Sequence, residues 1–96
     1  MSQSISFLQE LEKIICSRKT ESASESYTAR LINGGIDKTL QKVGEEAVEY
    51  IIDAKNLDKA RAVSEAADLL YHLLVSFQFN NISLEDIDNE LKNRHK

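Results

Sequence analysis

The sequence predicts an all-α fold, a bundle of four to five helices, on three observations. The chain has no proline and only three glycines, so few residues in it interrupt a helix. Apolar residues recur at helical spacing through long segments. No segment shows the strict alternation bounded by turn residues that is typical of strands. With 96 residues and 42% hydrophobic content, we expect one domain over residues 1–96, with a modest core completed by homodimerisation.

The first two predicted helices flank a polar, serine-rich segment. The apolar periodicity predicts the first helix over about residues 4–18. The sequence "KTESASES" at residues 19–26 favours a mobile loop. Ser26 is placed to cap a short second helix, which "NGG" at residues 33–35 ends because these residues tolerate positive φ.

The next two helices are the longest and are expected to lie antiparallel, because a short connection joins them. The third runs from about Asp37 to Lys55, and either Asn56 or Asp58 caps the fourth, which ends near "FNN" at residues 79–81. The sequence "SLEDIDNELKNRH" then opens with capping-box spacing and predicts a short amphipathic C-terminal helix.

Charge and cysteine content exclude several classes of protein. A net charge of −4 argues against a surface for polymeric nucleic acid, which needs clustered Lys and Arg. Cys16 is the sole cysteine, so no disulfide framework is expected and a reducing cytoplasm is the natural compartment. The N-terminal sequence lacks the basic start and apolar run of a signal peptide, and we expect no membrane span.

The fourth helix carries an unusual polar stripe within "SEAADLLYHLLVSF" at residues 64–77. Glu65, Asp68 and His72 fall within about 60° of one another on the helical wheel. The rest of the circumference is apolar, which is typical of a buried helix. Carboxylates withdrawn from water need a compensating partner. No Lys or Arg occurs between Arg61 and Lys92, so the positive charge must come from elsewhere.

A second acidic stripe lies on the third helix, where "KVGEEAVEY" places Glu45, Glu46 and Glu49 on one face. In an antiparallel pair of helices, Glu46 and Glu49 can face Glu65 and Asp68. Four carboxylates suit Mg²⁺, or alternatively Mn²⁺, which prefer oxygen ligands and retain water that phosphate oxygens replace. A single acidic pair is more typical of a solvated helix face, whereas two pairs, one on an apolar helix, favour a metal site.

Basic residues and a histidine flank the acids. Lys38 and Lys42 share the acidic face of the third helix and are placed to hold a departing phosphate group. The alternative is an ion pair within the helix, for which Lys42 preceding Glu46 by four residues is the less favourable order. His72 is expected to give structural support rather than to bind the metal, because Mg²⁺ prefers oxygen ligands.

The two acidic segments together resemble the EExxE…ExxD signature of the all-α NTP pyrophosphohydrolases, the MazG-like superfamily. The resemblance extends over nearly the whole chain. The segments "ICSRK", "SYTARL", "GGIDKTLQKVGEEAVEYIIDAK" and "EAADLLYHLLV" closely resemble the phosphoribosyl-ATP pyrophosphatase family of histidine biosynthesis. The segment "TESASES" departs from that family, whose loop often has a proline after the basic pair.

The resemblance implies a reaction and roles for the residues that match. The reaction is Mg²⁺-dependent hydrolysis of 1-(5-phosphoribosyl)-ATP to 1-(5-phosphoribosyl)-AMP and pyrophosphate by a homodimer. Glu46, Glu49, Glu65 and Asp68 match the family's metal-binding acids, and either Glu45 or Glu49 is our candidate general base. The segments most specific to the resemblance supply candidate contacts to the phosphoribosyl or adenine end of the substrate: Arg18, Lys19, Tyr27 and Arg30.

Three alternatives remain at this point. A house-cleaning pyrophosphohydrolase would use the same metal site on ordinary or damaged nucleoside triphosphates. A di-iron or di-manganese bundle typically requires Glu-x-x-His pairs on two helices, whereas this chain has Glu-x-x-Asp. A non-enzymatic helical interaction module would carry the acids only as surface charge, so their amide variants would keep function and metal affinity.

Overall fold

The computed structural model describes residues 7–96, and these residues form helices and turns without a strand. The predicted all-α class is therefore confirmed. Five α-helices follow one another, and a short 3-10 turn, Arg18–Thr20, comes directly after the first. The helices are α1 (Phe7–Ser17), α2 (Tyr27–Asn33), α3 (Ile36–Lys55), α4 (Lys59–Phe77) and α5 (Leu84–Arg94). Within these residues, no helix combines the length and the apolar character needed to span a membrane.

The helix starts follow the capping residues expected from the sequence. The Ser26 hydroxyl accepts a hydrogen bond from the Ala29 N–H at 3.0 Å at the start of α2. Asp58, rather than Asn56, caps α4 by accepting a hydrogen bond from the Arg61 N–H. The capping box of α5 forms as predicted, with Ser83 and Asp86 bonded reciprocally. Each cap satisfies N–H groups that have no partner inside the helix.

Two helix ends and one loop differ from the prediction. Residues 4–6 of the predicted first helix lie outside the described residues, and α1 ends at Ser17. α4 ends at Phe77, because the chain tightens into i to i−3 hydrogen bonds and then turns at Asn81, whose φ is 55°. The serine-rich segment, predicted to be a mobile loop, contains hydrogen-bonded turns. Glu21 accepts hydrogen bonds there from Arg18 at 2.7 Å and from the Ser26 hydroxyl at 3.1 Å.

The buried core lies at one end of the molecule, around the C-terminal half of α4. Ile15 of α1, Leu31 of α2, and Leu74 and Val75 of α4 form its centre. α5 is attached at the same end, because the Glu12 carboxylate of α1 accepts a hydrogen bond from the Leu84 N–H at 2.7 Å. α1 and α2 thus cover the last two turns of α4, and Leu84 at the start of α5 packs against the same core.

The largest packing interface joins α3 to α4 as an antiparallel hairpin. A short turn connects the two helices and includes Leu57 in the left-handed region, with φ of 60°. Close to this turn, the buried Asp53 carboxylate pairs with Arg61 at 3.3 Å across the two helices. The hairpin therefore fixes how residues of α3 and α4 face one another.

One side of the hairpin is left uncovered by the rest of residues 7–96. We call it the open face, and it consists of large apolar side chains that are about half exposed: Leu40, Val48 and Ile51 of α3, and Val63 and Leu70 of α4. On each helix this row lies roughly 180° around the axis from the acidic stripe. The hairpin therefore has an acidic side and an apolar side.

Candidate active site

Three glutamates converge between α3 and α4. Carboxylate oxygens of Glu46, Glu49 and Glu65 all lie within 4.8 Å of one another. Glu46 and Glu49 share a face because they are three residues apart on α3, and the antiparallel packing of α4 places Glu65 opposite them. The helix pairing thus brings together three of the four acids that the sequence singles out.

Glu65 carries the strongest sign of an unmet interaction. Its Oε1 atom is buried and has no hydrogen-bond partner among the described residues. The pKa of Glu65 is raised, chiefly by a hydrogen bond with the Glu46 carboxyl, then by burial and by the charges of Glu46 and Asp68. Crowded carboxylates and a buried oxygen without a partner are the conditions that a divalent cation relieves. The oxygen-only donor set matches Mg²⁺ or Mn²⁺.

Asp68, the fourth acid, does not belong to the group of converging carboxylates. It lies on the same stripe of α4 and acts on Glu65 through its charge, which helps to raise the pKa of Glu65. Its backbone carbonyl accepts a hydrogen bond from Nδ1 of His72 at 2.8 Å. Asp68 is therefore next to the cluster, with its carboxylate outside the 4.8 Å group.

Glu45 faces a different environment from Glu46, although the two are adjacent in sequence. Its carboxylate accepts a hydrogen bond from the Gln41 amide at 3.0 Å and lies 3.6 Å from the Lys42 ammonium. The hydrogen bond from Gln41 is the main cause of a lowered pKa for Glu45, and the charges of Lys42 and Lys38 act in the same direction. Glu45 is therefore held ionised at the rim of the cluster.

Lys42 pairs with two of the acids on α3. Its Nζ atom lies 3.6 Å from Glu45 and 3.8 Å from Glu46, so the helix ion pair that sequence reasoning rated as the weaker alternative is formed. Burial acts to lower the pKa of Lys42, but its acidic neighbours, which include Glu45 and Glu46, outweigh it and the pKa is raised. Lys42 is therefore positively charged at neutral pH and pairs with these two carboxylates.

An aromatic cluster adjoins the acids along α4. The Tyr27 hydroxyl and Nε2 of His72 are 3.1 Å apart, so both ring nitrogens of the buried His72 have partners. Because a carbonyl oxygen can only accept, Nδ1 of His72 carries the hydrogen that bonds Asp68. Tyr71 stacks on Tyr27 and hydrogen-bonds Thr28, and burial raises the pKa of Tyr71. The Arg30 guanidinium lies 5.6 Å from the centre of the Tyr27 ring.

The remaining predicted contacts lie on the α1 side of the molecule. Arg18 is paired with Glu21 at 2.7 Å. Lys19 lines an open groove of about 620 Å³ together with Lys13, Cys16 and Gln78. The structure therefore groups Lys42, Tyr27 and His72 with the acids, whereas Arg18 and Lys19 have other surroundings.

Sequence reasoning did not identify two pairs that support the site. Thr28 and Tyr71 tie α2 to α4, and Asp53 and Arg61 tie the end of α3 to the start of α4. The sequence did contain a signal for Asp53. It lies on the same stripe of α3 as Glu46 and Glu49, seven and four residues after them. The Thr28–Tyr71 pair had none, because its members are 43 residues apart.

These features define an all-α domain in which an antiparallel helix hairpin holds a carboxylate cluster suited to a divalent cation. The family model described as "Phosphoribosyl-ATP pyrophosphohydrolase" matches residues 8–95. The chain therefore belongs to the phosphoribosyl-ATP pyrophosphohydrolase family, and the family predicted from the sequence is confirmed.

Individual relatives agree with this membership. A protein of Clostridium novyi named "Phosphoribosyl-ATP pyrophosphatase" is 44% identical over 92 residues, which cover 96% of this chain and 84% of the relative. Two proteins named "Histidine biosynthesis bifunctional protein HisIE" are also similar. The one from Bacillus subtilis is 49% identical over 92% of this chain and 42% of its own length. The one from Vibrio vulnificus is 47% identical over 94% and 43%. The chain thus spans less than half the length of these bifunctional relatives.

Proposed function

We propose that this chain hydrolyses 1-(5-phosphoribosyl)-ATP to 1-(5-phosphoribosyl)-AMP and pyrophosphate, the second step of histidine biosynthesis, in the cytoplasm. The observation that carries the proposal is the cluster of Glu46, Glu49 and Glu65, with a buried, unpartnered oxygen on Glu65, in a chain of this family. The exposed free thiol of Cys16 is compatible with a reducing compartment.

Glu46, Glu49 and Glu65 would hold Mg²⁺, or Mn²⁺ in its place, with Asp68 as a further ligand. When bound, the cation would neutralise charge on the substrate phosphates and help to orient the attacking water. Binding would also offset the repulsion between Glu65 and the neighbouring carboxylates, which contributes to the raised pKa of Glu65. A bound cation would therefore favour the ionised form of Glu65.

The hydrolytic step needs a group that accepts a proton from water. Attack by water breaks the bond between the α- and β-phosphates, and the water proton passes to a carboxylate while pyrophosphate leaves. Glu45 and Glu49 are our candidates for this base. The lowered pKa of Glu45 keeps it ionised, and Glu49 is exposed at the edge of the cluster.

The basic residues of α3 provide for the leaving group. Lys42 lies 3.8 Å from Glu46, where its ammonium group can pair with pyrophosphate oxygens after exchanging its carboxylate partners. Lys38 is also close enough for its charge to lower the pKa of Glu45. Both lysines thus place positive charge on the acidic face of α3, N-terminal to the acids.

The rest of the substrate would lie towards α2. Tyr27 and Arg30 are held against each other, and His72 fixes the Tyr27 hydroxyl, so these residues offer a pre-arranged surface for the adenine or the phosphoribosyl group. Arg18 and Lys19 complete the proposed substrate contacts. In this arrangement His72 supports the site through Tyr27 and the Asp68 carbonyl and does not bind the metal.

The direct test is pyrophosphate release from phosphoribosyl-ATP, with ATP and dCTP as parallel substrates, each with Mg²⁺ and with EDTA. We expect strong, metal-dependent preference for phosphoribosyl-ATP. Equal or faster turnover of ATP or dCTP would instead assign the chain to house-cleaning hydrolysis at the same site. No turnover of any of the three would contradict the enzymatic assignment.

We also propose that the chain forms a homodimer through the open face. α3 is 20 residues long, so a face two helices wide measures about 30 Å by 20 Å, or about 600 Å². This area approaches the roughly 800 Å² that each partner contributes to a standard interface. A second copy offers a matching apolar face, because a two-fold interface uses the same patch on both chains. Sedimentation equilibrium showing only a monomer at micromolar concentration would contradict the dimer.

A further inference from the structure

Gly44 occupies an unexpected position at the centre of the open face. It lies in the interior of α3, between Leu40 and Val48 of that face. Glycine in a helix interior is about fivefold less favourable than alanine. A glycine here therefore has a cost that some other interaction must offset.

Within residues 7–96, nothing accounts for this glycine. A Cβ atom built at Gly44 meets none of their atoms within 4 Å outside the adjoining backbone of α3, and the backbone there does not adopt positive φ. The two other glycines differ in this respect. Gly35 has φ of 95°, and a Cβ at Gly34 would lie 3.2 Å from the Arg30 carbonyl oxygen. Among the residues that the structure describes, neither packing nor backbone conformation requires glycine at position 44.

The remaining physical reason is close approach by a second backbone. We propose that a helix of a second copy crosses α3 at Gly44, with the two helix backbones in contact there. This inference rests on the proposed dimer and specifies its point of closest contact. Small residues at a crossing point permit the shortest distances between helix axes, near 8 Å. The crossing helix must be apolar because Leu40 and Val48 flank Gly44, and the open face of a second copy meets that requirement.

The test compares the dimer dissociation constant of four chains by sedimentation equilibrium: wild type, Gly44→Ala, Gly44→Leu and Asn89→Leu. Asn89 is an exposed position in the middle of α5, so its leucine variant controls for added bulk and hydrophobicity on a helix surface. We expect the dissociation constant to rise several-fold for Gly44→Ala and at least about 100-fold for Gly44→Leu, because overpacking forces the helices apart. Asn89→Leu should remain within twofold of wild type.

Gly44→Ala is the most informative variant, because it is expected to weaken the dimer and to stabilise the monomer. The gain in helix propensity is present in the free and the associated chain, so it cancels from the dissociation constant. At a concentration where the chain is monomeric, the same variant should melt at a higher temperature than wild type, since its new Cβ meets nothing within 4 Å. Circular dichroism should show unchanged helix content for both Gly44 variants.

Dissociation constants within twofold of wild type for both Gly44 variants would overturn the inference. A wild-type chain that is monomeric throughout would overturn it together with the proposed dimer. Pyrophosphate release by wild type is measured separately, so failure of the Gly44 contact is distinguishable from failure of the proposed hydrolysis.

Discussion

The two halves of α4 have opposite environments, although one row of apolar residues runs along both. In the C-terminal half, Leu74 is only 2% exposed because α1 and α2 cover it. Towards the N-terminus, exposure rises along the same row: Leu70, just past the middle of α4, is 46% exposed, and Val63 is 61% exposed. The acidic stripe with Glu65 also begins in the N-terminal half. Covered core and uncovered surface thus share one helix, and the candidate site lies on the opposite side of α4 from the apolar row that residues 7–96 leave exposed.

The buried core and the charged groups of the candidate site therefore lie towards different ends of α4. The core end supplies packing energy, since large apolar side chains there are removed from water. The open end holds charges that repel one another, a left-handed Leu57 and an unpartnered Glu65 oxygen. Each of these features costs stability in the single chain. Substitutions at the two ends should therefore affect different properties.

The largest expected effect is on activity, from Glu65→Gln. We expect pyrophosphate release from phosphoribosyl-ATP to fall by at least about 100-fold, the upper range seen when only a supporting residue of a metal site is lost. Asp88→Asn is the matched control, because Asp88 is an exposed acid in an ion pair with Lys92 on α5. Titration of Mg²⁺ or Mn²⁺ should show weakened binding for Glu65→Gln alone. Equal losses in both variants would contradict a site-specific role.

The second effect is on stability, from Leu74→Ala compared with Leu70→Ala. We expect Leu74→Ala to lower the free energy of unfolding by about 2–4 kcal/mol, because it creates a cavity in the core. Leu70→Ala should cost about 1 kcal/mol in the monomer, since half of that side chain is already exposed. Urea denaturation measures both values. Repeating it at higher protein concentration should raise only the cost of Leu70→Ala if a second copy covers the open face.

The third effect is a gain in stability from Leu57→Gly. Leu57 has φ of 60° and is 89% exposed, so glycine relieves the left-handed conformation without removing a buried contact. We expect an increase of about 1 kcal/mol in the free energy of unfolding. Asn81→Gly is the control, because Asn81 also has positive φ but asparagine tolerates it better. A loss of stability in Leu57→Gly would show that Leu57 makes a contact in solution.

The smallest effect is a pH dependence of the metal-free chain. The folded-state pKa of Glu65 is raised, mainly by the hydrogen bond with Glu46. Its contribution to stability is therefore present in acid and is lost as pH rises through the raised pKa. In EDTA, wild type should lose stability relative to Glu65→Gln between mildly acid and neutral pH. Glu45, whose pKa is lowered, acts in the opposite direction but is common to both chains and cancels. An unchanging difference would contradict the raised pKa of Glu65.

Much of this arrangement was predictable from the sequence. Helical periodicity gave the five helices, and the capping residues Ser26 and Ser83 gave the starts of α2 and α5. Residue spacing placed Glu46 and Glu49 on one face of α3 and Glu65 and Asp68 on one face of α4, because residues three or four apart lie on one helix face. These predictions depend on local geometry, which is nearly independent of the rest of the chain. That the two pairs face each other was predicted from the short connection between the helices, and the structure brings Glu46, Glu49 and Glu65 together.

The sequence alone therefore determined the fold class, the family resemblance and the angular position of each acid on its helix. Only the tertiary structure decided that Asp68 lies outside the carboxylate group, that His72 bonds Tyr27, and that Asp53 pairs with Arg61. The physical reason is that helical periodicity fixes rotation about one axis. Packing between helices fixes their axial alignment and the side-chain rotamers, and both depend on residues distant in the chain.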